Sequence, residues 1–414
     1  MSFFYTNVQS IRNKIYVKGY DAQTNEHINT KVDFKPTVFV PTKDPSHGWK
    51  TIHGDLLQPV KMLSIPSMRE YIEGIDGICG LTSSTEQKYA FINEACPGEM
   101  EYKKDLLKIL IFDIEVETEG GYPDIWNNPG QKINAISAHV TGIGFVTWGL
   151  YKSYTSKTED HEYRRFDSEE DLIIDFFKFI QYEKPDIFSG WNIEGFDIPY
   201  IINRAKYIGL EDSIKLLSPW KLKEEINRDK NGDQYYRIPG IAVLDYMALY
   251  KKFCLSPRES YSLNHICHVE LGEKKLDYSE YENLENLYKK NWELFIDYNK
   301  RDTYLVQKLD DKLKYFDLAV TYAYLAKVNF EDIFGTVKYW DIKIYNHLYQ
   351  KKIAIPSNLR NSNREDYPGG YVKEPLIGMH KWVSTFDLNS LYPNLIVQFN
   401  MSPETIVNEH EPAS

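Results

Sequence analysis

The sequence predicts an α/β fold, a mixed sheet with flanking helices, preceded by a strand-rich α+β segment. Three observations carry this. Residues 1–105 are rich in strand-like runs bounded by turn residues. From about 106 to 315, strand-like and helix-like runs alternate. Four carboxylates, Asp113, Glu115, Asp197 and Asp302, fall on or beside the runs of this second region. The 414 residues, 42% hydrophobic and 14% aromatic, are ample for sizeable cores, and the length suggests roughly three domains.

Taken in order, residues 14–20 and 29–34 flank the polar turn 21–26 as a hairpin, and residues 66–73 read as a short helix. Residues 107–116 form a strand. Side chains at i and i+2 share a face, so Asp113 and Glu115 project together while Phe112 and Ile114 pack opposite. Residues 185–191 read as a short buried strand that leaves into Asn192-Ile-Glu-Gly-Phe-Asp197. Ile198, Ile201, Ile202, Ala205 and Ile208 follow at helical spacing, which places Asp197 near a helix N-terminus, where an ordinary N-cap role also suits it. Asn231-Gly232 within 222–238 is a hairpin-turn signal. In the amphipathic run 292–309, Tyr298 and Asp302 are i,i+4 neighbours, although Tyr298 taken alone reads as a core tyrosine. Residues 305–324 and 333–349 are helical, and the polar stretch 357–366 is the best linker.

Net charge is −11, from 49 Lys+Arg against 60 Asp+Glu, so any polyanion must be met by a local basic path rather than a basic total. Candidate pieces are Lys103-Lys104, Lys221 and Lys223, Lys251-Lys252, Lys274-Lys275, Lys289-Lys290 and Lys300-Arg301, most of them expected on solvated faces. No run of eighteen apolar residues suggests a membrane span, and residues 1–7 lack the basic start and apolar core of an export signal. Cys79, Cys96, Cys254 and Cys267 lack Cys-x-x-Cys spacing and are expected to be reduced thiols. His265-Ile-Cys-His268 lacks a second ligand pair nearby and reads as ordinary helix residues.

Clustered carboxylates repel one another, and hard divalent cations relieve that repulsion. Two such ions about 4 Å apart can clamp the attacking and leaving oxygens of a phosphodiester. Asp113-x-Glu115 on a strand, Asn192-x-x-x-Phe196-Asp197 after a strand and Tyr298-x-x-x-Asp302 on a helix together resemble the three motifs of proofreading 3′→5′ exonucleases. Phe386-Asp-Leu-Asn-Ser-Leu-Tyr-Pro393 resembles the first polymerase motif of family B DNA polymerases, and Gly369-Gly-Tyr-Val-Lys-Glu-Pro375 their exonuclease–polymerase connector. Within the family, residues 191–200, Lys338-Tyr-Trp-Asp341 and the hairpin-like 16–40 are most similar to the replicative enzymes of large tailed phages.

The resemblance implies an RNase H-like exonuclease core over 106–315, an N-terminal domain over 1–105 completed by about 316–360, and the start of a polymerase palm over 361–414. It implies that Asp113, Glu115, Asp197 and Asp302 serve two Mg²⁺ ions, with Mn²⁺ as a substitute. One ion, on Asp113, Glu115 and Asp302, activates water; the other, mainly on Asp113, stabilises the leaving 3′-oxygen, and Asp197 acts largely through waters. Tyr298 positions the attacking water. Asn192 contacts DNA or supports its own motif, and Phe196 contacts an unpaired base or packs in the core. The 222–238 hairpin separates primer from template or is a plain surface hairpin.

In the same resemblance, a strand over 383–387 presents Asp387 to the polymerase metal site, incomplete here, and Tyr392 lies beneath the sugar of an incoming nucleotide. Asn394 stands where the family commonly has serine. The lysine-bearing helix and Asp-Thr-Asp strand of the family are absent, so no polymerisation is expected without a C-terminal half. Implied partners are single-stranded and primer-template DNA and that C-terminal half, from the same gene or a separate chain, with a sliding clamp and RNA as further candidates and no membrane. The expected location is the cytoplasm of an infected host. Two alternatives remain: a split-polymerase subunit that acts by docking, or an RNA-binding translational regulator using the aromatic strands at Phe3-Phe-Tyr5 and Ile15-Tyr-Val17.

Overall fold

The first amino-terminal strand is buried on both faces over residues 4–9. The computed structural model describes residues 3–73, 87–119, 121–156, 158, 160–228, 232–355, 369–402 and 405. In it β1 (Phe3–Ile11), β2 (Lys14–Asp21) and β3 (His27–Val32) form an antiparallel sheet in that order. The expected turn is closed by Asp21, whose carboxylate accepts from the Gln23 and Thr24 amides. β4 (Thr37–Pro41), β5 (Trp49–Thr51) and β6 (Leu56–Lys61) begin a second sheet, followed by α1 (Ile65–Glu73) and α2 (Gln87–Ala95). Phe4, Tyr5, Ile15 and Val17 are core residues. Burial takes these four side chains out of any RNA-facing platform, while Phe3 and Tyr16 of the same strands are half-buried.

The central region follows the predicted alternation. β7 (Ile109–Val116), β8 (Ile133–Val140) and β9 (Gly144–Leu150) are successive antiparallel neighbours, and β10 (His161–Phe166) joins β9 in parallel. α3 (Glu169–Glu183) packs Leu172, Ile173, Phe176, Phe177 and Ile180 with Phe112, Trp148 and Phe188 in one apolar cluster. β11 (Ile187–Ser189) then lies parallel to β7, and α4 (Asp197–Tyr207) and α5 (Glu211–Ile214) follow. β12 (Glu225–Arg228) and β13 (Gln234–Arg237) make the predicted hairpin; Asn231 at its tip lies outside the described residues. β14 (Ala242–Val243) completes a mixed six-stranded sheet of order β10-β9-β8-β7-β11-β14. The helices α6 (Tyr246–Phe253), α7 (Leu263–Leu271) and α8 (Leu284–Lys290) lead to α9 (Trp292–Leu313), which packs across β7 and β8.

Residues 305–324 are two helices, not one. Lys314 adopts a left-handed φ of 55°, its N–H caps the Asp310 carbonyl, and the Asp310 carboxylate accepts from the Phe316 amide to start α10 (Tyr315–Ala326). α11 (Thr336–Gln350) begins later than its apolar spacing predicts, because Phe330–Phe334 forms a separate 3-10 turn with a capping box between Asn329 and Asp332. β15 (Ile353–Ala354) then pairs in parallel with β5, returning the chain to the amino-terminal region. The linker expected at 357–366 lies outside the described residues.

Met1–Leu359 makes one compact unit and Arg360–Ser414 another. In the second, α12 (Leu391–Gln398) carries Tyr392, and residues 383–387, expected as a strand, are irregular and exposed. A strand needs a partner to satisfy its backbone, and the described residues of this unit offer none. No described helix is long and apolar enough to cross a membrane.

Candidate active site and metal centre

Asp113 and Glu115 share one face of β7, and Phe112 and Ile114 enter the core on the other. Tyr298 and Asp302 sit one turn apart on α9. Carboxylate oxygens of Asp113, Glu115 and Asp302 come within 4.8 Å of one another. A cleft of about 630 Å³ is lined by these three and by Asn192, Phe196, Asp197 and Tyr298. All seven residues singled out for the exonuclease motifs therefore share one cleft. Asp387 and Tyr392 belong to the other unit, where both are exposed.

Asp197 is the first residue of α4 and does not cap it. The N-cap position falls to Phe196, and Asp197 Oδ1 instead accepts from the Ile114 amide at 3.0 Å, tying the helix start to β7. The preceding loop approaches β7 closely at Gly190, where an added Cβ would stand 2.5 Å from the Phe112 carbonyl oxygen. Asp245, just before α6, holds this loop. It accepts from the Asn192 and Glu194 amides at 3.3 and 3.1 Å while also capping Met247 and Ala248. An acid preceding a helix is a readable cap signal, but its second task needs the fold. Phe196 is half-buried, stacked on Tyr200 at 5.6 Å and 6.0 Å from the exposed Tyr122, so it serves both core and cleft.

Burial drives the electrostatics. It pushes the Asp113 carboxyl up to about 7, with Asp302 adding to the shift and Lys275 and Asn299 opposing it. Glu115 is raised well above its usual range by burial, then by Asp113 and Asp302; Asp197 by burial, then by Asp113. Burial also raises Asp302, against the pull of Lys275. Lys275 is the residue that sequence reasoning passed over, having counted it as part of a surface pair. Its Nζ lies 2.5 Å from Asp302 Oδ2 and 3.3 Å from the Tyr298 hydroxyl. Burial opposes its charge, but Asp302, Tyr298 and Asp113 outweigh that and hold the ammonium protonated. Other basic pieces are engaged elsewhere: Lys104 with Asp317, Lys223 with Glu211, Lys289 with Glu285 and Arg301 with Glu273.

The donor set suits a divalent cation. Hard anionic oxygens converge, Asp302 Oδ1 is buried without a hydrogen-bond partner, and one ammonium balances only part of the charge. Carboxyls with a raised folded pKa bind protons more readily when folded, so their stabilisation is full below about pH 4 and is lost as pH rises through the Asp113 value of about 7. Mg²⁺ is therefore expected to raise the melting temperature by several degrees at pH 8 and by much less at pH 5. A calorimetric scan at each pH with and without Mg²⁺ checks this, and an equal shift at both would contradict it.

The fold and this carboxylate centre define a class: an α/β domain whose clustered carboxylates suit divalent cations. Residues 83–266 match the family model described as DNA polymerase family B, exonuclease domain, and residues 341–414 match the model described as DNA polymerase family B. The chain is 31% identical to the DNA-directed DNA polymerase of Escherichia phage RB69 and 31% identical to that of Enterobacteria phage T4, each over 98% of this chain and 48% of the relative. It is also 29% identical to the DNA polymerase delta catalytic subunit of Schizosaccharomyces pombe, over 76% of this chain and 30% of the relative. The chain belongs to family B of the DNA polymerases and carries that family's exonuclease domain. It spans about half the length of the phage relatives.

Proposed function

We propose that this chain contributes the proofreading 3′→5′ exonuclease of a replicative DNA polymerase, removing nucleoside monophosphates from single-stranded or frayed 3′ ends. The observation that carries this reading is the convergence of Asp113, Glu115 and Asp302 with Asp197 and Tyr298 in one cleft. Asp113, Glu115 and Asp302 would hold two Mg²⁺ ions, with Asp197 at their periphery. The ions supply Lewis acidity for the attacking water and the leaving 3′-oxygen. Tyr298 remains a neutral phenol, since burial and then Asp302 raise it, and so can orient that water by hydrogen bonding. Lys275 anchors the phenol. Phe196 and Tyr122 offer ring faces to unpaired bases, which favours a melted end over a paired one.

The proposed division is an N-terminal domain over 1–105 completed by about 316–360, the exonuclease over 106–315, and the start of the palm over 361–414. Asp387 would join further carboxylates of a C-terminal half in the polymerase site, with Tyr392 beneath the incoming sugar. The exposed apolar side chains of Ile377, Trp382 and Phe386 support a packing partner for this segment. Primer-template DNA is the proposed partner and the infected host cytoplasm the proposed location.

The test is a 5′-labelled single-stranded oligonucleotide incubated with the chain. Stepwise shortening from the 3′ end with Mg²⁺, abolished by EDTA, is expected, and cleavage independent of metal would overturn the proposal. Tyr298→Phe should slow hydrolysis by about ten- to a hundredfold, less than loss of a carboxylate, because the cation site remains.

A further inference from the structure

Asn299 follows Tyr298 on α9 and points at β7. It is 0% exposed, and its Nδ2 donates to Asp113 Oδ2 at 2.7 Å and to the Asp113 carbonyl oxygen at 3.3 Å. Its Oδ1 is buried with no hydrogen-bond partner. The amide orientation is therefore dictated: turned over, Oδ1 would face two acceptors. Leaving a buried amide oxygen unpaired is costly, and a purely packing role at this position would be filled as well by leucine. What the asparagine adds is a neutral donor on one oxygen of the carboxylate that sits among Glu115 and Asp302.

We propose that Asn299 is a positioning residue for the cation site. Its amide fixes one oxygen of Asp113 and leaves the other for the cations, so that Asp113 cannot turn to chelate a single ion with both. A lysine there would neutralise the carboxylate; an acid would repel it. Asparagine holds it and keeps its charge. This inference rests on the exonuclease reading above.

The experiment is a Mn²⁺ titration of the whole chain without DNA, followed by electron paramagnetic resonance, on wild type, Asn299→Leu, Asn299→Ala and Asp113→Ala. Melting temperatures in EDTA accompany it. Asn299→Leu keeps the branching at Cγ and removes both the donor and the unpartnered oxygen. Mn²⁺ affinity is expected to fall about tenfold or more in both Asn299 variants, with the cation-free melting temperature of Asn299→Leu no lower than that of wild type. Unchanged Mn²⁺ affinity in these variants would overturn the inference alone, as would a loss of affinity matched by collapse of the cation-free fold in both. A wild-type chain whose Mn²⁺ binding is insensitive to Asp113→Ala would overturn the exonuclease reading and this inference with it.

Discussion

Asp113→Ala is expected to lower Mg²⁺-dependent shortening of a 3′ end by at least about a thousandfold while leaving the chain folded. Charge stabilisation by a bound cation contributes several kcal/mol to such a reaction, and each 1.36 kcal/mol is tenfold in rate. Asp113 is one of the three carboxylates whose oxygens converge within 4.8 Å, and its removal takes one ligand from that set. The fold survives because the lost group is itself a source of strain in the cation-free state. Burial raises the Asp113 carboxyl to about 7, so at neutral pH its ionisation opposes folding. The variant should melt in EDTA no earlier than wild type and gain little from added Mg²⁺. Digestion at the wild-type rate would sink the assignment, and early melting would show that Asp113 serves the fold instead.

Asp186→Ala is expected to cost about 3–5 kcal/mol of stability, a large part of the roughly 5–15 kcal/mol available to a domain. Asp186 is 0% exposed and joins the amino-terminal sheet to the central one. It accepts from Thr6 Oγ1 at 2.8 Å, the Tyr20 hydroxyl at 2.8 Å and the Lys108 amide at 3.0 Å, and it pairs with Lys18 Nζ at 3.0 Å. Burial lowers the Lys18 pKa, and Asp186 is the main charge that counters it. Alanine would leave that ammonium to the Pro185 carbonyl, 2.5 Å away, and would orphan two hydroxyls. The exposed pair Lys14–Asp33, at 3.1 Å, is the contrast: Asp33→Ala should cost less than about 1 kcal/mol. Urea midpoints of the two variants measure the difference. Equal midpoints would show that the buried node does not hold the sheets together.

The local part of the site was legible because strand and helix periods fix which side chains share a face. Asp113 with Glu115 needed only a period of two, and Tyr298 with Asp302 only one helical turn. The hairpin around the polar turn 21–26 and the helix read at 66–73 were legible from local signals too, the helix starting one residue earlier at Ile65. Asp197 was half legible: its place at a helix start followed from spacing, but both a cap and a ligand fit that position until Ile114 was found to donate to it. The helix break at Lys314 was missed because apolar spacing runs through it, and a left-handed lysine has no sequence mark of the kind glycine gives. The strand expected at 383–387 is absent from the structure, because a strand's stability lies in its neighbours.

Sequence alone determined the α/β class, the shared face of Asp113 with Glu115, the one-turn spacing of Tyr298 and Asp302, and the order in which the carboxylates arrive. These depend on residue type and short-range geometry. Tertiary structure alone decided that Lys275 enters the cleft, that Asp245 braces the loop before α4, that Asn299 grips Asp113, and that Asp186 ties two sheets together. Each of these joins residues more than twenty positions apart, or sets one side chain against several partners, and such contacts depend on how strands and helices pack rather than on how residues follow one another.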